Sequence, residues 1–192
     1  QEQKEATAAA VLDAARAEFE EHGFDGANLR AIAERAGVSA GTVIHHHGDK
    51  RELLYAALFD DLETTLTAAL LPSTTAPLMT QLSSVAAAVF AYYEQRPALS
   101  RTLLKESLFA EGPWQARFTE QTKRSHAAVA DLVKAAVARG EVGADVNAEL
   151  VAAAFMAFFY FALIGFTQGA APAPLLLFDA LMAQHLRPTT TS

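Results

Sequence analysis

The chain has 192 residues, which is enough for one large domain or two small ones with a substantial hydrophobic core. Its net charge of −7 has the wrong sign for a protein that coats nucleic acid through bulk charge, and its apolar fraction of 52% excludes wholesale disorder. Cysteine is absent, which excludes disulfide bonds, cysteine-based zinc sites and thiol nucleophiles. Forty-two alanines beside 10 glycines and 7 prolines favour helix over sheet.

Glycine and proline divide the chain into segments of helical length. The first part predicts four helices, at 7–22, 28–36, 41–47 and from Asp49 onward. Gly23 is a natural stop for the first helix, Ser39 is a good N-cap for the third, and Asp49 with Glu52 has the spacing of a capping box for the fourth. The fourth helix carries a leucine at every fourth position, at Leu54, Leu58, Leu62, Leu66 and Leu70.

The second part of the chain predicts five further helices, at 77–95, 97–110, 113–139, 147–168 and 174–186. A proline lies near the start of four of them, where a missing N–H costs little. We find no internal repeat and no stretch with the alternating pattern of a strand. The fold class is therefore predicted to be all-α with about nine helices, followed by a frayed tail at 187–192.

The segment 29–47 has the spacing of a helix-turn-helix. Ala33 is small where the second helix must approach closely, Gly37 lies in the turn, and Val43 can pack back into the core. The second helix is then left projecting and is free to enter a major groove. On spacing alone, an ordinary helical hairpin with a glycine in its turn remains an alternative.

The surrounding sequence is more specific. The runs FEEHGFDG at 19–26 and IAERAGVSAGT at 32–42, followed by His46, Lys50 and the pair Leu53-Leu54, strongly resemble the N-terminal domain of TetR-family repressors. The resemblance covers roughly residues 8–60. It implies a helix-turn-helix domain at 1–55 and a helical ligand-binding and dimerisation domain at 56–192. It also implies a homodimer that reads a near-palindromic operator in double-stranded DNA and releases it when a small molecule binds.

Carried over by matching position, the resemblance implies that helix 39–47 is the recognition helix. The DNA-binding residues it implies are Arg30, Ser39, Ala40, Gly41, Thr42, Ile44, His45, His46 and Lys50. Ile44 stands where the family usually has a tyrosine that meets a phosphate, and His47 stands where it usually has a core phenylalanine. The start of helix one also lacks the usual arginine, so we expect fewer phosphate contacts than is usual in the family.

The three consecutive histidines do not predict a metal site, because adjacent helical residues point in directions about 100° apart. No metal and no cofactor is expected. The sequence also lacks a nucleophile elbow, a phosphate loop and an HExxH pair, so we expect no enzymatic activity.

The aromatic residues cluster beyond residue 90, and together with the many alanines they can enclose an apolar cavity. The candidate effector-binding residues are Phe90, Tyr93, Phe109, Trp114, Phe118, His126, Phe155 and Phe159. Glu106 and Gln121 are also candidate polar groups, but we interpret them as facing water. This composition favours a mostly apolar effector that is uncharged or weakly polar.

Residues 150–166 carry no formal charge, which places this helix at the lower end of the length of a membrane span. Its alanines and its lack of a basic flank favour a helix buried in protein, with no membrane partner. The resemblance implies that the last two helices form a four-helix interface with a second copy. The candidate interface residues are Phe158, Phe161, Leu177, Phe178 and Leu181.

The leading hypothesis is a cytoplasmic, ligand-responsive transcriptional regulator that acts as a repressor. The alternative is a helical dimer that binds a small molecule or a partner protein and has lost DNA binding. The missing tyrosine, His47 and the acidic charge favour the alternative. Residues 1–55 alone hold 6 basic and 10 acidic residues, so a DNA-binding protein of this kind should bind non-specific DNA poorly.

Overall fold

The computed structural model describes residues 2–71 and 76–186, so the tail at 187–192 lies outside the described residues. The described residues form nine α-helices and no strand, which confirms the predicted all-α fold. In chain order the helices are α1 (Glu2–Gly26), α2 (Leu29–Arg35), α3 (Ala40–His47), α4 (Lys50–Ala69), α5 (Leu78–Glu94), α6 (Pro97–Phe109), α7 (Gly112–Ala138), α8 (Ala148–Thr167) and α9 (Pro174–His185).

Short polar side chains fix the starts of the helices around the turn. The side chain of Asn28 accepts the N–H of Arg30 at α2, and Ser39 caps α3 in the same way. Asp49 accepts two N–H groups at the start of α4. Each of these bonds satisfies an amide that the helix itself leaves unpaired, at a typical gain of about 1 kcal/mol. The local signals in the sequence therefore predicted these three boundaries well.

The first helical stretch of α1 ends where predicted. Gly23 adopts φ 68 and ψ 178, which is not helical, and a further short turn follows it to Gly26. Only glycine reaches such a φ without a steric penalty, so Gly23 permits the break. The turn between α2 and α3 depends on Gly37 in the same way, at φ 67.

The apolar side chains form two principal cores. The N-terminal core is built by α1 to α4 and includes Phe19, Ile32, Val43 and Leu54, each at most 1% exposed. The C-terminal core lies among α5, α7, α8 and α9 and includes Leu82, Phe90, Val133, Leu163 and Phe178.

Two helices enter both cores. On α4, Leu54 and Leu58 belong to the N-terminal core, whereas Leu62 belongs to the C-terminal core. The predicted boundary at residues 55/56 falls inside this helix. On α6, Leu99 is fully buried in the N-terminal core, and Leu104 is buried in the C-terminal core. The N-terminal half is therefore packed directly on helices that also line the C-terminal half.

Helix α8 is apolar on nearly all sides but is not buried on all sides. Leu150, Phe161 and Ile164 are 65%, 60% and 38% exposed, and their spacing places them along one stripe. By length and composition α8 could cross a membrane, with a third of its most apolar window buried, a test that core helices of soluble proteins also pass. The stripe leaves a large apolar face without a partner in the described part of the chain.

Candidate DNA-binding surface and effector cavity

Helix α3 presents one face to solvent and one to the core. Val43 is fully buried and anchors the helix, whereas Gly41, Ile44 and His45 are exposed. At 100° per residue, these three lie on the side away from Val43 or flank it. The other predicted DNA-facing residues of this helix are half-buried at its edges or cap its start: Ser39, Ala40, Thr42 and His46.

Gly41 has no structural reason to be glycine. Its backbone is helical, and a Cβ built there would meet nothing closer than the hydroxyl of Ser39 at 3.6 Å. A glycine inside a helix costs about 1 kcal/mol relative to alanine, so the protein alone would be more stable with a side chain at this position. Absence of a side chain on an exposed face is useful where another molecule's backbone must come close.

A buried carboxylate supports the turn. Glu18 of α1 is 3% exposed and accepts the backbone N–H of Asn28 at 3.2 Å, which fixes the start of α2. Arg35 at the end of α2 pairs with Glu21 of α1 at 2.9 Å. These bonds hold α2 against α1, and α2 in turn positions α3.

Lys50 occupies a different environment from the one expected. Its ammonium donates to the carbonyl oxygens of Asp25 and Ala27 at 3.3 and 3.2 Å and lies over the ring of Phe24. It therefore fastens the end of α1 to the start of α4, and its predicted phosphate contact stays a prediction. Arg30, in contrast, is exposed at the start of α2.

His47 at the end of α3 is half-buried and contacts the ring of His46. Its Nε2 is buried and has no hydrogen bond among the described residues. Burial, together with the neighbouring His46, lowers the pKa of His47 below the ordinary histidine value. The sequence predicts that His47 weakens the N-terminal core or needs a polar partner. Its unpaired Nε2 is consistent with the first of these two outcomes.

We expect His47→Phe to raise the free energy of unfolding by about 1 kcal/mol and the Tm by roughly 2–4 °C, because it removes a buried unpaired nitrogen. The folded pKa of His47 is lowered, so the unfolded chain binds more protons and His47 costs stability as the pH falls below about 6.5. Thermal unfolding should therefore show that the Tm difference between His47→Phe and the wild type increases as the pH is lowered from about 7.5 to 5.5. His45→Phe, on the exposed face, is the control; an advantage that is absent or independent of pH would contradict this account.

A cavity with about 60 Å³ of free space lies inside the C-terminal half. Side chains from α4 to α8 line it, among them Leu62 and Leu66 of α4. Its polar lining groups are Tyr93, Ser107, Gln121, Thr122, Ser125 and Tyr160, and none of the described lining residues carries a formal charge. An uncharged molecule with one or two hydrogen-bonding groups matches this lining.

Four of the eight candidate effector-binding residues line the cavity: Tyr93, Phe118, Phe155 and Phe159. Phe90 lies behind this wall, 1% exposed and stacked on Phe159 with ring centroids 4.8 Å apart. Three candidates require correction. Phe109 is 75% exposed, Trp114 packs in a separate aromatic cluster, and His126 points to Glu149 at the surface.

The interpretation of Glu106 and Gln121 as water-facing residues was wrong. Both are buried, at 8% and 6% exposure, and both bond to α4. Gln121 donates to Glu63 at 2.7 Å, and Glu106 accepts the hydroxyl of Tyr55 at 2.5 Å. The sequence does not single out the cavity residues Ser107, Thr122 and Ser125, because a lone small polar residue in a helix carries no distinctive signal, and Tyr160 is one of many aromatic residues in its segment.

An outer groove of about 570 Å³ adjoins the cavity. Four residues line both spaces, namely Ser107, Phe118, Thr122 and Tyr160. The groove is bordered by the exposed Phe109 and by Lys123. The groove and the cavity are therefore neighbours that share lining residues from α6, α7 and α8.

An aromatic cluster couples the start of α4 to α7. Tyr55 and Phe59 of α4 pack on Trp114 and Phe118 of α7, with ring centroids 5.2–6.3 Å apart across the cluster. The indole N–H of Trp114 donates to Glu52 at 2.5 Å. Glu52 therefore bonds to α7, and the side chain of Asp49 caps the start of α4.

The predicted dimer-interface residues fall into two groups. Phe161 is 60% exposed, and Phe158, Leu177 and Leu181 are half-buried on α8 and α9. Phe178 requires correction, because it is fully buried against Phe90 and Phe155 and cannot contact a partner.

A capped helix-turn-helix with a projecting third helix, joined by α4 to a helical half that holds a cavity, defines an all-α protein of the helix-turn-helix class. The family model for bacterial regulatory proteins of the tetR family matches residues 11–57, the segment that forms this unit. Residues 11–57 therefore form an N-terminal domain of the tetR family of bacterial regulatory proteins.

Individual relatives agree with this assignment. The HTH-type transcriptional repressor AcnR of Corynebacterium efficiens is 43% identical over 51 residues, so the match spans about a quarter of each protein, 27% of both. The HTH-type transcriptional regulator UidR of Escherichia coli K12 is 27% identical over 151 residues, covering 77% of this chain and 74% of UidR. The structure of the regulator FadR from Bacillus subtilis, in complex with stearoyl-CoA, has a TM-score of 0.72 over 92% of this chain and 96% of FadR at 14% identity, and it shows a shared fold.

Proposed function

We propose that this protein is a cytoplasmic transcriptional repressor that binds a near-palindromic DNA operator as a homodimer and releases it when an apolar, uncharged effector binds. One observation carries the proposal: α4 starts directly after the recognition helix, and its side chains Leu62 and Leu66, with Leu70 at its C-cap, line the cavity. Any molecule that enlarges the cavity pushes on this helix.

DNA binding is supported by the exposed face of α3 and by Arg30 near it. A recognition helix must bring its backbone close to the floor or wall of the major groove, and Gly41 permits that approach. The histidines and hydroxyl groups beside it can donate to phosphates or base edges. Since few cations accompany them, affinity depends on these specific contacts more than on bulk charge.

Gly41→Ala should separate stability from binding. Alanine is the better helix former, so the free energy of unfolding should stay equal or rise by up to about 1 kcal/mol. Affinity for a DNA duplex selected by the wild-type protein should fall about tenfold, equivalent to about 1.4 kcal/mol, because the methyl group keeps the helix away from the DNA. Fluorescence anisotropy measures the affinity. Gly26→Ala, at the end of α1, is the matched control, and equal affinities for all three proteins would count against the proposed interface.

Effector response is supported by the size of the cavity. Its free space of about 60 Å³ is well below the roughly 300–1,000 Å³ of a site that holds a drug-sized molecule. A ligand must therefore select a conformer in which the surrounding helices have moved apart, which shifts the equilibrium away from the DNA-binding state. Stearoyl-CoA, which the FadR neighbour binds, carries a highly charged head group that this uncharged lining does not match.

Ala86→Leu should block the cavity. Ala86 is fully buried in the wall, so the larger side chain occupies the free space. We expect binding of the neutral probe N-phenyl-1-naphthylamine to weaken at least about tenfold, equivalent to about 1.4 kcal/mol, while binding to the selected duplex remains. Ala87→Leu, on a different side of α5, should bind the probe as the wild type does. The probe's fluorescence and that of Trp114 report binding, and unchanged probe binding by the Ala86 variant would contradict this site.

Homodimerisation is supported by the exposed apolar stripe of α8. A stripe of this length on a water-exposed helix indicates a protein partner, and a second copy pairs it with itself by two-fold symmetry. Recognition of two half-sites about one helical turn apart also requires two copies.

Phe161→Arg should convert the protein to a monomer. The substitution places a charge in the centre of the stripe, where a partner would bury it without a counter-charge. Light scattering after size-exclusion chromatography should give half the wild-type mass. Leu71→Arg replaces a side chain that is 71% exposed beyond the end of α4 and should leave the mass unchanged. If the Phe161 variant kept the wild-type mass, the stripe would not be the interface.

The second candidate function is a helical dimer that binds a small molecule or partner but not DNA. The engagement of Lys50 by carbonyl oxygens and the isoleucine at position 44 favour it. Selection of duplexes from a randomised DNA library at low salt discriminates the two functions. Enrichment of one palindrome supports the repressor, whereas retention of no duplex supports the second candidate.

A further inference from the structure

Ile44 is unusual among the exposed residues of the recognition helix. Its side chain is 52% exposed, and it shares its face with Gly41 and His45. Isoleucine is β-branched and only a moderate helix former, so neither helix propensity nor burial accounts for it here. It also has no donor or acceptor with which to contact a phosphate or a polar base edge.

We propose that Ile44 packs against the C5-methyl group of a thymine in the major groove and selects a T·A pair at one position of each half-site. The inference rests on the proposed DNA binding. Thymine is the one base that presents a methyl group in the major groove, and apolar side chains recognise it by contact. Against a phosphate, the same side chain would displace water and return no hydrogen bond.

Geometry supports this assignment over a backbone contact. On α3, Ile44 lies about 100° from the buried Val43, and Gly41 lies beside it one turn earlier on the exposed side. Because Gly41 has no side chain, the helix can sit deep enough for a branched four-carbon side chain to reach a base edge. His45 on the same face supplies hydrogen bonds to neighbouring groups.

The test uses the duplex that the wild-type protein enriches from a randomised library. Each thymine is replaced in turn by deoxyuridine, which lacks only the C5-methyl group. At one thymine per half-site, we expect the wild-type affinity to fall about fourfold, the effect of one buried methyl-sized group. Ile44→Ala should bind the unmodified duplex more weakly and should show no further loss at that thymine, whereas Ile44→Val should retain part of the sensitivity.

Leu71→Ala is the control, since it removes a similarly exposed apolar side chain outside the recognition helix. It should bind like the wild type and show the same response to deoxyuridine. Equal sensitivity of the wild type and Ile44→Ala at every thymine would overturn the role of Ile44 while leaving the proposed repressor intact. So would a selected duplex in which no thymine responds to the replacement. Enrichment of no duplex at all would instead overturn the proposed DNA binding, and with it this inference.

Discussion

The packing of α4 between two hydrophobic cores is the interaction on which the rest of the molecule depends. Its first half contributes Leu54 and Leu58 to the core that carries the recognition helix, and its second half contributes Leu62 to the core that surrounds the cavity. A helix held in this way cannot shift at one end without a response at the other, because packed cores have discrete arrangements and resist gradual deformation. The leucine spacing in the sequence encodes this continuity.

Helix α6 is a second connection between the N-terminal and C-terminal cores. Leu99 at its start is part of the N-terminal core, and Ser107 near its end lines both the cavity and the outer groove. Glu106 on the same helix accepts the hydroxyl of Tyr55 on α4. In the proposed effector response, a molecule in the cavity would contact α6 and α4 together, and both helices would carry the displacement to the N-terminal half. The predicted domain boundary at residues 55/56 lies within α4, a helix that packs in both cores.

The parts of the structure that the sequence predicted are the local ones. Asn28, Ser39 and Asp49 mark helix starts because a capping bond involves residues two or three positions apart. The cavity was predicted less well, because its lining depends on how each helix is rotated about its axis. That rotation is set by the neighbours on which each helix packs, so Phe109 of α6, Phe178 of α9 and the small polar lining residues of α6 and α7 could be placed only in three dimensions.

Much of the acidic charge of the N-terminal half takes part in the same packing. Glu18 holds the start of α2, Glu20 pairs with Arg96 at the start of α6, and Glu21 pairs with Arg35. Asp49 caps α4, and Glu52 bonds to Trp114. These carboxylates fasten the helix-turn-helix to itself and to the cavity-bearing half, and none of them lies on α3. Five of the ten acidic residues at 1–55 therefore take part in these internal contacts, and the net charge by itself does not describe the exposed face of α3. The described residues of α3 include no acidic side chain. Carboxylates that could repel a phosphate at α3 therefore lie outside this helix, and salt screens their effect over about 8–10 Å.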